Sequence, residues 1–247
     1  MKPTVPRLNT LAEAQRILWP QLATLGTEFV LYGGTALSLQ VGGRLSVDFD
    51  FFTPSPLEID RLVKDQAFLT KAQIQHRTKD TITLSVGSAD SPVTVSFFGG
   101  LRFGRVSEPV RFSDNGLYSA GLLDLAAQKV KVIQQRAEAK DYLDIHKLLS
   151  EGISLEDSLG AARALYPEFN PAISLKALSY FDDIAHLPAS VQQDLQVAAS
   201  RVREMSPVTR KSISLLPDLG FADLEPEISD KGERGAASRR IEPEMEL

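Results

Sequence analysis

At 247 residues, with 43% hydrophobic and 24% charged side chains, the chain can bury a substantial core in one large domain or two smaller ones. It has no cysteine and three scattered histidines, His76, His146 and His186, which excludes disulfides and thiolate metal sites and leaves oxygen ligands, hence a hard ion, for any essential metal. A net charge of −5 argues against a protein-wide nucleic-acid surface, and no apolar run approaches a membrane span or a secretory leader, so a cytoplasmic protein with no membrane partner is expected.

In chain order, Asn9 reads as an N-cap ahead of an amphipathic helix over Thr10 to Leu25, with Leu11, Ala14, Ile17 and Leu18 at helical spacing. Phe29 to Tyr32 is a short apolar strand that stops at Gly33-Gly34, and Thr35 to Val41 returns to helix formers. Leu45 to Phe52 alternates as a second strand, and Leu57 to Leu69 reads as a further helix. Three β-branched stretches follow near 72–77, 80–87 and 92–98. From Leu117 the pattern becomes helix after helix, roughly 121–136, 140–150, 155–165, 171–184 and 189–204, with starts signalled by Ser154 and by Asn170-Pro171. The expected architecture is therefore α+β: a mixed sheet with helices over 1–116, a helical part over 117–205, and a polar, aperiodic tail over 206–247 that is expected to be flexible.

The segment that carries chemistry is Phe29 to Thr53. Asp48 and Asp50 stand two apart on a predicted strand, so both carboxylates share one face, while Val47, Phe49 and Phe51 are expected on the other. Two neighbouring carboxylates repel, and dry surroundings penalise their charge further, so they call for a cation, with magnesium the natural choice and manganese a substitute. Gly33-Gly34 at a strand-to-helix turn exposes backbone amides at a helix N-terminus, a cradle for phosphate. Each element alone has a bland reading: acidic residues can simply protect an edge strand, and glycine pairs are common in turns, as at Gly42-Gly43. Together, with residues 35–47 between turn and acidic pair, they point to one nucleoside triphosphate held by cradle and metal.

This segment resembles the signature of the polymerase-β nucleotidyltransferase superfamily, a Gly-Gly turn followed by an acidic-x-acidic strand. The form Gly33-Gly34-Thr35-Ala36-Leu37, then Arg44-Leu45-Ser46-Val47-Asp48-Phe49-Asp50-Phe51-Phe52, is closer to the AbiEii toxin family, as is Leu125-Ala126-Ala127-Gln128-Lys129-Val130 leading through Arg136 to Lys140-Asp141-Tyr142-Leu143-Asp144-Ile145. The resemblance covers roughly residues 20–150. It implies a polymerase-β-like fold, a nucleoside triphosphate as substrate, an RNA such as tRNA or a protein as acceptor, and an antitoxin partner. It assigns Lys129 to the nucleotide phosphates, Asp144 to completing the catalytic site, and Thr35 and Arg44 to the phosphate end of the cradle. A module of the same fold that binds nucleotide or a partner protein without turnover is the alternative reading.

Two conditions accompany that mapping. In one unbroken helix Lys129 and Asp144 would lie about 22 Å apart, so the chain must turn between them although Ala137-Glu138-Ala139 contains no breaker. Many superfamily members also carry a third carboxylate on a later strand, and the matching place in Val93 to Phe98 offers Ser96, a poor ligand for magnesium and no base at neutral pH without activation.

Overall fold

The computed structural model describes residues 3–218. Seven strands, β1 (Val30–Tyr32), β2 (Asp48–Phe52), β3 (Gln73–Arg77), β4 (Thr81–Ser88), β5 (Ser91–Phe98), β6 (Val110–Arg111) and β7 (Tyr118–Ser119), form a mixed sheet in the order β3-β4-β5-β2-β1-β7-β6. Strand β2 lies centrally, antiparallel to β1 and parallel to β5. Eight α-helices accompany the sheet among the described residues: α1 (Glu13–Leu18), α2 (Gly33–Val41), α3 (Ile59–Asp65), α4 (Leu122–Val132), α5 (Ala139–Ser150), α6 (Leu155–Leu165), α7 (Pro171–Ala177) and α8 (Ala189–Arg201). The architecture is the expected α+β, and no helix among the described residues is long and apolar enough to cross a membrane.

Several boundaries differ from the sequence expectation for identifiable reasons. The single helix expected over residues 10–25 is divided into a 3-10 turn at Leu8–Thr10, α1, and a second 3-10 segment at Trp19–Leu25. Pro20, with no N–H to donate, sits at the junction. Asn9 falls inside the first 3-10 turn, and the amide of Ala12 is instead satisfied by the Gln15 side chain. Strand β2 starts at Asp48 rather than Leu45, so Val47, expected on the buried face, is 59% exposed. Two-residue strands β6 and β7 complete the sheet, β7 running parallel to β1.

Two hydrophobic clusters organise the body. One fills the sheet's buried face with Phe49, Phe51, Ile82, Leu84, Val95 and Phe97 and reaches Leu125 and Ala126 of α4. The other lies among the later helices and takes in Ala127 and Val130 of the same helix. Alternating faces of α4 thus belong to both clusters, and the described residues as far as Pro217 form one compact unit. Asp124 in the first turn of α4 anchors it, accepting from the amides of Val106 and Ser107, each at 2.9 Å, and from the Ser107 hydroxyl.

The segment expected to begin a flexible tail at Ser206 is packed on the body as far as Pro217. The amide of Ser206 donates to the carbonyl of Glu156, Arg105 and Ser212 exchange backbone hydrogen bonds, and Leu215 is fully buried. The remainder of that expectation, residues 219–247, lies outside the described residues.

Candidate functional site

The site begins where β1 runs directly into α2. Gly33 takes a φ of +76°, in the left-handed region, and a Cβ there would lie 2.5 Å from Oδ2 of Asp50. A Cβ on Gly34 would lie 2.5 Å from Nη2 of Arg44 and 2.9 Å from Oγ of Ser46. The glycines therefore do more than turn the chain: they let an acidic and a basic side chain press against the start of α2, whose first residue follows Tyr32 with no side-chain cap. The antiparallel pairing of Tyr32 with Asp50 fixes β2 at that height.

Strand β2 alternates as the sequence pattern requires, with Phe49 and Phe51 fully buried and Asp48, Asp50 and Phe52 on the opposite, half-buried face. Burial, and then the charge of Asp48, push the Asp50 carboxyl up to about 6, while the positive charges of Lys129, Arg136 and Lys140 pull it back. Two hard carboxylates, close, half-dry and mutually repelling, fit a divalent cation with oxygen ligands. No group of three or more His, Cys, Asp or Glu side chains assembles for a metal among the described residues, so protein ligation would stop at this pair and leave room for phosphate oxygens and water.

Lys129 enters from α4. The helix ends at Val132, residues 133–138 turn, and α5 starts at Ala139, which supplies the bend that a shared site requires. Lys129 Nζ, on a side chain that is almost fully buried, lies 2.7 Å from Oδ2 of Asp144 and donates at 2.9 Å to Oδ1 of Asp141. Arg44 clasps Asp144 from the other side, donating from Nε to Oδ1 and from Nη2 to Oδ2, each at 2.8 Å. Arg136 donates from Nε to Oδ2 of Asp141 at 2.8 Å. Burial opposes ionisation of Asp141, yet the hydrogen bonds and charges of Arg136 and Lys129 hold its carboxyl below the usual range.

The structure thus brings Gly33, Gly34, Arg44, Asp48, Asp50, Lys129 and Asp144 into one neighbourhood but distributes their work differently from the simplest expectation. Asp144 has both oxygens occupied by Arg44 and Lys129, so it positions those cations rather than offering a free base. Thr35 is 1% exposed, and its hydroxyl donates to the backbone carbonyl of Asp48, tying α2 to β2 instead of facing phosphate. Ser96 pairs in register beside Asp50 on β5, and its hydroxyl engages Thr83 at 3.1 Å, so no carboxylate stands at that place. Asp141, to which the sequence analysis gives no role, joins them through its pairs with Lys129 and Arg136. Its spacing of three from Asp144, which puts both carboxylates on one helix face, was the available signal.

Comparison with known proteins bears on the family and the fold. An uncharacterised protein from Aquifex aeolicus (strain VF5) is 29% identical over 202 residues, covering 80% of this chain and 94% of its own. Among solved structures, MenT4, a nucleotidyltransferase toxin from Mycobacterium tuberculosis H37Rv, has a TM-score of 0.53 at 18% identity, covering 85% of this chain and 84% of that one. A protein from H. pylori assigned as a nucleotidyltransferase has a TM-score of 0.51 at 21% identity, covering 78% and 92%. These structural likenesses establish the nucleotidyltransferase fold. The model of the family described as nucleotidyl transferase AbiEii toxin, type IV toxin–antitoxin system, matches residues 16–213, and this chain belongs to that family.

Proposed function

We propose that the protein transfers a nucleoside monophosphate from a nucleoside triphosphate to a hydroxyl of an RNA, such as tRNA, or of a protein, as the toxin of a cytoplasmic toxin–antitoxin pair. The observation that carries this reading is the Asp50 carboxylate seated against the Gly33 turn at the start of α2, with Asp48 on the same face of β2. The acceptor oxygen forms a bond to the α-phosphorus, the bond from that phosphorus to the bridging oxygen breaks, pyrophosphate leaves, and the hydroxyl proton passes to solvent. Asp48 and Asp50 would hold magnesium or manganese, which when bound offsets charge on the triphosphate oxygens. Gly33 and Gly34 present backbone at the cradle, Arg44 flanks it, and Lys129 contributes fixed positive charge close to Asp50.

The absence of a carboxylate at Ser96 favours one other reading, a module that binds nucleotide without turning it over. Pyrophosphate release, measured with each of the four NTPs in the presence of total RNA or of protein acceptors, separates the two. Transfer predicts release that depends on acceptor and divalent cation and disappears in Asp48→Asn while the fold survives. Metal-dependent NTP binding without pyrophosphate release in the presence of any acceptor would favour the silent module.

A further inference from the structure

Beyond Asp50, the same face of β2 leads through Phe52 to a cleft of about 540 Å³ that the acidic pair does not line. Its size falls within the range of small-molecule sites. One wall is aromatic: Phe52 and Phe103 meet edge-on with centroids 6.2 Å apart, and Phe103 lies 5.2 Å from Tyr166. Tyr32 stacks 4.5 Å from Phe52 and fixes its orientation. Another wall comes from α4 and the turn that follows it: Gln128, about 100° around the helix from Lys129, and Lys131 line the cleft from α4, and Gln135 lines it from the turn. One helix therefore turns a cation towards the acidic pair and an amide towards the rings.

Gln128 adds the observation that points to a ligand. Its Oε1 is buried and has no hydrogen-bond partner among the described residues, and a buried acceptor left in this condition is uncommon in a native fold. The N–H on the edge of a heterocycle would satisfy it, while the heterocycle's face meets Phe52 and Phe103, the Tyr166 ring behind them being covered by the Lys131 ammonium 4.6 Å from its centroid. Phe52 is two residues beyond Asp50, about 7 Å along the strand, a span that one ribose bridges.

Resting on the transferase reading, we infer that this cleft is the nucleobase subsite for the incoming NTP, with Gln128 as the residue that reads the edge of the base. The triphosphate end is fixed by the glycine turn and the acidic pair, so the base of the same nucleotide, rather than that of an acceptor end, is the group delivered to Phe52.

The test is equilibrium binding of the full chain to each of the four NTPs and to inorganic tripolyphosphate, with magnesium present, by calorimetry. Wild type should rank the four NTPs. Gln128→Leu should weaken the preferred NTP roughly 5- to 100-fold and flatten the ranking, with tripolyphosphate affinity unchanged. Val132→Trp, which fills the cleft, should weaken all four NTPs and spare tripolyphosphate. Equal affinities in wild type, an unchanged ranking in Gln128→Leu, parallel loss of tripolyphosphate, or an effect confined to acceptor choice would each overturn the base site. Asp48→Asn distinguishes the level of failure: nucleotide binding indifferent to it removes the transferase reading and the base site together. Binding that depends on Asp48, with a ranking indifferent to Gln128, removes the base site alone.

Discussion

The Gly33 position joins two requirements, a left-handed φ of +76° and space for Oδ2 of Asp50, and substitution can separate them. Gly26 has a φ of +62°, and a Cβ added there would meet nothing within 4 Å, so it carries the first requirement without the second. Gly26→Ala should cost about 1 kcal/mol of stability and leave nucleotide binding intact, whereas Gly33→Ala should cost about 1–3 kcal/mol and also displace Asp50, abolishing metal-dependent binding. Thermal unfolding and NTP titration on both variants check this. Asp50 itself makes a prediction about pH. Its folded carboxyl titrates near 6, above the roughly 3.9 of an unfolded aspartate. Its contribution to the metal-free protein's stability is therefore complete below about pH 4 and is lost as pH rises through about 6. Asp50→Asn should remove that slope and stabilise the metal-free protein at pH 7.5 by on the order of 2–3 kcal/mol relative to wild type, with little difference at pH 4. Denaturant titrations with chelator at the two pH values measure it, and equal stabilities at pH 7.5 would contradict the origin assigned to the shift.

At the level of elements, the turn between α4 and α5 matters because it folds a lysine back onto two carboxylates of the next helix. Lys129→Met should leave Asp141 and Asp144 with only Arg136 and Arg44 in a buried setting, and the cost should reach about 3 kcal/mol or more in urea denaturation. A loss of activity in that variant has meaning only beside its measured stability. How far these elements were legible depended on their length and on what they touch. The Gly-Gly turn and the Asp48-Phe49-Asp50 alternation are local patterns, and the structure has both. The break after Val132 was required by distance but not marked by any glycine or proline, since residues 133–138 turn where side-chain ion pairs, not backbone chemistry, favour the start of a second helix. Strands β6 and β7 have two residues each, too few to display alternation, and exist because β1 offers β7 a free edge. Thr35 and Asp144 fall in the right neighbourhood, but their hydrogen bonds decide their work, and those partners lie 13 and 100 residues away in sequence.

For the molecule as a whole, residues 206–217 close over the body in a way that composition hides. The mark was present in glycines elsewhere: a Cβ at Gly160 would lie 2.2 Å from the carbonyl oxygen of Ser206, and one at Gly104 would lie 2.1 Å from that of Ser212. A glycine within helix α6 signals close approach by another backbone, though not which one. A chain ended after Met205 should therefore melt several degrees below one ended after Asp218, with both compared by thermal unfolding. Equal melting temperatures would mean that the packed segment adds nothing to stability. The dual membership of α4 in the sheet and helical clusters has a kinetic consequence. Because one rigid rod is cemented into both halves and bears Lys129 between them, a nucleotide bound as proposed would meet walls already standing rather than jaws that must shut. Capture should then be a single encounter, its observed rate rising linearly with NTP concentration and without the plateau that a slow closing step imposes.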